Sequence, residues 1–345
     1  MQPNSVTLPF AFDAHVHLRR LRSVARLTAQ HFSAAIVMPN LTPAIRSAED
    51  VTEYSKWIMS ATGKDYLPFT PLMTFKIYPD TAPETLKTLN EFFELSGRQI
   101  AVAGKVYPKG LTTNAEDGIE DYFALFPLFK KMEKLGLVLC LHGEKPGNAI
   151  EGLDRESAFL RTLFYIARSF PDLRIVMEHI TTEAAVEAIL QLPENVAATI
   201  TAHHLILTHD DVGGDRMRPH NFCKPVAKRK SDRTALIEAA ISGCPKFFFG
   251  SDSAPHPKDK KECSECCAGV FTAPIALPLL AEVFTKHNAI NRLANFAGGF
   301  GQMFYDVAFA EKPVTLIQEP MTIPQEYDGV VPFLAGQQLS WKVQE

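Results

Sequence analysis

Eight short apolar runs, rich in β-branched and aromatic residues, recur along the 345-residue chain, and each stops at polar or turn-forming residues. In order they are PFAFDAHVHL, AAIVMPNL, TPLMTFKIYP, AVAGKVYP, LVLCLHGE, RIVMEHITT, VAATITAHHLI and KFFFGSDSAPH. Continuous Val, Ile, Phe and Leu, rather than strict alternation, fit strands buried on both faces of a parallel sheet. Between most of them lie segments with helical spacing: SAEDVTEYSKWIMSATG, APETLKTLNEFFEL, EDYFALFPLFKKMEKLG and RESAFLRTLFYIARSF. TTEAAVEAILQL and SDRTALIEAAISG continue the series and are expected to open on Thr or Ser caps. Eight strands alternating with helices read as a (β/α)8 TIM barrel. An open doubly wound sheet is the alternative, but it normally carries a glycine-rich turn after its first strand, and DAHVHLRR is not one. Length alone would suggest about two ordinary domains, whereas one barrel accommodates it. Beyond the eighth run, APIALPLLAEVFTKHN and NRLANFAGGFGQMF are helical by period, and the proline-bearing tail from Pro313 reads as a short β or irregular cap. A single domain spanning 1–345 is therefore expected.

Composition then removes several function classes. A formal net charge of −4 offers no broad field to attract nucleic acid or an anionic membrane. The six cysteines (Cys140, Cys223, Cys244, Cys263, Cys266, Cys267) are too dilute for a disulfide scaffold. CSECC contains one CxxC pair and no second pair exists to complete a structural zinc site, so these are read as loop residues. No stretch approaches the roughly 18 apolar residues of a membrane span. The opening MQPNSVTLPFAFD has no basic leader, so a cytoplasmic protein is expected.

Five of the eight runs end on a candidate metal ligand: His15 and His17, then Lys105, His142, His179 and Asp252. Barrel active sites lie at the C-terminal ends of the strands, so one fold gathers all six on one face. His15 and His17 flank Val16, and period two turns both imidazoles to the same side. Such a pair can hold a divalent ion, although a lone histidine would more often be a hydrogen-bonded core residue. Lys105 lies inside an apolar strand, where a charge is costly unless neutralised or used. One reading is a buried salt bridge to an acid such as Asp252. The other is an unprotonated amine that takes up carbon dioxide as a carbamate and bridges two metal ions. His203 and His204 end the seventh run and are read as packing or supporting residues.

The set FDAHVHLR, VMPN, KVYP with TTN, LHGE, EHITT, RPH with a following cysteine, and GSDSAPH resembles the dihydroorotases of the single-function type, within the amidohydrolase superfamily. The match runs from about Asp13 to about Leu277 in the family's order, and the tail beyond adds little. The resemblance implies His15, His17 and Asp252 as ligands of the more buried metal. It implies His142 and His179 as ligands of the second, two zinc ions per subunit, and an N6-carboxylated Lys105 as the bridge. His142 also borders the substrate. Arg19, Asn40 and His256 match residues that hold the substrate carboxylate, and an arginine fork suits that anion. Thr112 and Thr113 match a loop that closes over substrate. Backbone near Lys224, Ala268 and Gly269 matches positions that hydrogen-bond the pyrimidine ring. Lys224 stands where an apolar residue is usual in the family, and Lys109 and Gly110 make the closing loop different in detail.

The activity implied is reversible hydrolysis of a cyclic amide, (S)-dihydroorotate to N-carbamoyl-L-aspartate, in de novo pyrimidine biosynthesis. A hydroxide bridged by two metals would attack, with Asp252 as general base. The expected partner is this small-molecule substrate, with no nucleic acid and no membrane, and the expected assembly is a homodimer. Two rivals remain at this point: another cyclic-amide amidohydrolase, such as a hydantoinase or allantoinase, and a non-catalytic barrel scaffold.

Overall fold

The computed structural model of the chain describes residues 4–66, 68–89 and 101–344. A short leading strand, β1 (Ser5–Leu8), precedes eight barrel strands. These are β2 (Phe12–Val16), β3 (Ala34–Val37), β4 (Thr70–Ile77), β5 (Ala103–Val106), β6 (Val138–His142), β7 (Ile175–Glu178), β8 (Val196–Ile200) and β9 (Phe247–Phe249). They pair in chain order and every pair is parallel. The seam between β9 and β2 is laced by the segment just after β9. The amide of Asp252 donates to the His15 carbonyl at 2.8 Å, and that of His17 donates to Ser253 at 3.0 Å. The buried Asp13 carboxylate accepts from the Ser251 amide at 2.8 Å, and the Ser251 hydroxyl donates to the His15 carbonyl at 3.0 Å.

The helical segments follow their caps. Ala48–Thr62 opens on Ser47, whose hydroxyl accepts from the Asp50 amide while Asp50 accepts from the Ser47 amide. Glu183–Gln191 opens on Thr182, as its sequence predicts. The helix from SDRTALIEAAISG does not open on its serine: it spans Lys230–Ile241, and Asp232 does the capping. One oxygen of Asp232 accepts from the Arg229 amide and the other from the Glu183 amide, so one carboxylate caps two adjacent helices. Phe126–Leu135 and Arg155–Ser169 complete the segments that position the site. In APETLKTLNEFFEL, residues 85–89 are helical and the remainder of the expected helix lies outside the described residues.

The apolar residues divide into two layers. Leu139, Leu141, Ile175, Met177, Phe247 and Phe249 pack outward against the helices. Phe12, Ala14, Val138, Cys140, Val176 and Phe248 fill the barrel interior with Tyr305, which belongs to the helix Phe300–Tyr305. The interior is thus solid below, and a site can open only above this plug. The tail returns to β1. Strand β10 (Val314–Ile317) pairs antiparallel with β1 and with β13 (Lys342–Val343), while β11 (Met321–Thr322) pairs with β12 (Gln338–Leu339). Among the described residues no helix is long and apolar enough to cross a membrane.

Candidate active site

Strand alternation decides which side chains reach the space above the plug. On β5, Ala103 is interior, Val106 is exterior, and Lys105 follows Ala103 inward. On β6, Val138 and Cys140 are interior, and His142 is the next inward position. On β2 regular alternation would turn His15 and His17 outward, because Phe12 and Ala14 are interior. A register shift between Asp13 and Val16 reverses the phase, so Val16 joins the exterior layer and both imidazoles turn in. His179 and Asp252 lie just past β7 and β9 with φ of 44° and 41°. That left-handed backbone is sparsely populated by residues other than glycine, and here it re-aims two polar side chains into the mouth.

The donors converge. His15 Nε2 lies 3.3 Å from His17 Nε2 and 3.2 Å from Asp252 Oδ1, and His17 Nε2 lies 3.4 Å from the same oxygen. His15, His17 and Asp252 form one group able to hold an ion; His15, Glu178 and His179 form another. The His142 and His179 rings meet edge to face, 4.7 Å apart. The Lys105 amine is fully buried, and the acid against it is Glu178 rather than Asp252. Burial lowers the Lys105 amine to about 7, and it also lowers all four histidines, which favours neutral imidazoles. Burial alone would raise the Asp252 carboxyl, but the neighbouring His15, with its hydrogen bond and that of His17, reverses the sign and holds it well below the usual carboxylate range.

The cavity above these groups has about 360 Å³ of space, counting its open mouth. Beside the metal-type residues it is lined by Arg19, Asn40, Thr112, Thr113, Lys224, Ala268 and Gly269. His256 is tucked behind this wall, with Nε2 donating to the Ala268 carbonyl at 3.0 Å. Lys105 lies beneath the cavity surface. The Arg19 Nε is buried without a partner, as an anion-binding guanidinium would be before its ligand arrives. Asn40 lines the cavity, and its Nδ2 donates to the Thr113 carbonyl at 2.6 Å, which ties it to the Thr112–Thr113 segment of the same lining.

A dihydroorotase from Teredinibacter turnerae is 41% identical to this chain over 350 residues, covering 99% of each. The chain belongs to the dihydroorotase family. No protein-family model matches it. The solved dihydroorotase of Saccharomyces cerevisiae, in complex with 5-fluoroorotic acid, superposes with a TM-score of 0.90 at 39% identity, covering 99% of this chain and 98% of that one. The L-hydantoinase of Arthrobacter aurescens shares only the fold: TM-score 0.78 at 16% identity, covering 98% of this chain and 82% of that one.

In this member of the dihydroorotase family, three residues of the site escape a reading of strand ends alone. Glu178 is buried with Oε1 3.1 Å from His15 Nδ1, so it can orient that ring while Nε2 faces Asp252. Its signal was an acid inside an apolar strand, the same signal that singles out Lys105. Glu144 accepts from His142 Nε2 at 2.7 Å, leaving Nδ1 as the free ring nitrogen. Tyr107 lines the cavity with its ring 5.1 Å from the Lys105 amine. His203, His204 and Cys223 form a third group of ligand type. Within it both nitrogens of His204 are engaged, Nδ1 with the Thr201 hydroxyl at 2.9 Å and Nε2 with the Pro225 carbonyl at 3.1 Å.

Proposed function

We propose that the chain is a dihydroorotase that interconverts dihydroorotate and N-carbamoyl-L-aspartate in de novo pyrimidine biosynthesis, with two zinc ions per subunit and a carboxylated Lys105 between them. The observation that carries this reading is the convergence of neutral imidazoles, an ionised Asp252 and an unpartnered arginine Nε on one cavity. An orphaned atom supports the metal assignment. His179 Nδ1 is buried with no hydrogen-bond partner among the described residues, which is costly unless a bound group satisfies it. His15, His17 and Asp252 would hold one ion, and His142 and His179 the other. Burial lowers the Lys105 amine to about 7, toward the unprotonated form that reacts with carbon dioxide, while its contact with Glu178 acts in the opposite sense. Once bound, the ions supply Lewis-acid polarisation of the ring amide and a water of lowered pKa.

The remaining work belongs to the chain. Arg19 offers a forked donor to the ring carboxylate. The wall of Lys224, Ala268 and Gly269 presents main-chain groups to the ring. The loop of Thr112 and Thr113 covers the mouth and excludes bulk water. Asp252 accepts the proton of the attacking water and returns it to the ring nitrogen as the C–N bond breaks; cyclisation reverses both transfers. Six free cysteines support a reducing compartment, so the cytoplasm is the proposed location, and a homodimer is the proposed assembly. Purified, zinc-loaded protein should interconvert the two compounds and carry about two ions per chain. Hydantoin and allantoin, which offer Arg19 no carboxylate, should be poor substrates. Failure to turn over dihydroorotate in either direction sinks the proposal.

A further inference from the structure

Lys261 ends a single helical turn, Lys258–Lys261, in the segment that follows β9. Its side chain is nevertheless buried, 3% exposed, with no carboxylate partner among the described residues. The ammonium instead donates to three main-chain carbonyls: Phe222 at 3.0 Å, Cys267 at 2.9 Å and Gly269 at 2.7 Å. A lysine has three N–H donors, so this one is saturated by backbone. The three carbonyls come from two separate stretches, and both stretches supply the same wall of the active-site cavity: Lys224 from one, Ala268 and Gly269 from the other.

Other bonds share in holding the wall: His256 Nε2 donates to the Ala268 carbonyl at 3.0 Å, the Cys267 amide to the Lys260 carbonyl at 3.0 Å and the Ala254 amide to the Val270 carbonyl at 2.9 Å. The Gly269 amide donates to the Phe222 carbonyl at 2.9 Å, so that oxygen serves both stretches at once. On its far side Gly269, with φ of 153°, packs so closely on Ala254 and His256 that a Cβ there would collide with the Ala254 carbonyl and the His256 ring. The 267–269 stretch is therefore held between Lys261 on one side and the post-β9 segment on the other. His15, His17 and Asp252, by contrast, are fixed by the β2–β9 seam, in which Lys261 has no part.

We infer that Lys261 is a positioning residue for ring recognition: its ammonium sets the spacing between 222–224 and 267–269, and so the alignment of the main-chain groups that meet the substrate ring. This rests on the dihydroorotase reading. Because the wall binds substrate without taking part in bond breaking, its loss acts on KM, whereas damage to the seam acts on kcat. Lys261→Met keeps an unbranched apolar stem, one atom shorter, and removes all three donors. Its KM for dihydroorotate should rise about tenfold or more, with kcat within about threefold and zinc content unchanged. Lys261→Gln keeps two donors and should fall between wild type and Lys261→Met. A melting temperature measured on the same samples separates positioning from bulk stability. A lowered melting temperature with wild-type KM in Lys261→Met overturns the inference. If Lys261→Met does not fold, Lys261→Gln decides, and an unchanged KM overturns it there too. Wild-type protein assayed alongside separates the two levels: an inactive wild type refutes the dihydroorotase reading, whereas an active wild type with indifferent variants refutes only the role of Lys261.

Discussion

At the scale of single residues the site is a set of buried polar atoms, each costly alone and useful together. Lys105 and Glu178 are both fully buried. Lys105→Ala should abolish turnover, and short carboxylic acids added to the assay should restore part of it by replacing the proposed lysine carbamate. Absence of rescue counts against the carbamate. Glu178→Ala should weaken zinc affinity about 10- to 100-fold, since Glu178 sits on the nitrogen of His15 that faces away from Asp252; a competitive chelator titration measures it. The residue types were legible in the sequence because an acid or amine in an apolar run is conspicuous. Their partners were not: Lys105 meets Glu178 rather than Asp252, because on β7 alternation points Glu178 inward from Val176, while His179 enters through a left-handed turn.

At the scale of elements, buried lysines recur as fasteners of loops. Lys76, on β4 and 2% exposed, donates to the Asn114 carbonyl at 2.6 Å and lies 3.1 Å from the Asp117 carboxylate. It therefore anchors the loop directly after Thr113, whose carbonyl is tied to Asn40. Lys76→Met should raise KM by about three- to tenfold and make the 109–118 loop the first site of limited proteolysis. Equal cleavage in both proteins would show that the loop needs no such anchor. The strands were readable in the sequence because their burial on both faces makes continuous apolar runs. The caps were half readable: Ser47 and Thr182 act locally, whereas Asp232 caps a second helix through the Glu183 amide, a contact set by packing.

For the whole molecule, the concentration of buried titratable groups makes stability depend on pH. Burial lowers His17 and His256 to about 3 and His31 and His203 to about 4, against an ordinary 6.5. The unfolded chain therefore binds more protons than the folded one below pH 6.5, and stability is lost as pH falls from 6.5 toward 4. Asp13, raised to about 6 by burial, and Glu156, also raised, act in the opposite sense and offset part of this. The melting temperature of zinc-free protein should fall across that window, and His203→Phe should make the fall shallower. An unchanged slope would place the proton uptake elsewhere. Period and composition were enough to specify a barrel with its histidines at the strand ends, because parallel strands buried on both faces leave their mark in every run of residues. Local order could not specify how the barrel closes or where its polar atoms meet. The phase change that turns His15 and His17 inward, the left-handed turns at His179 and Asp252, and the carbonyls gathered by Lys261 exist only when distant segments share one mouth. Those features depend on contacts between residues far apart in the chain, and such contacts have no period to read.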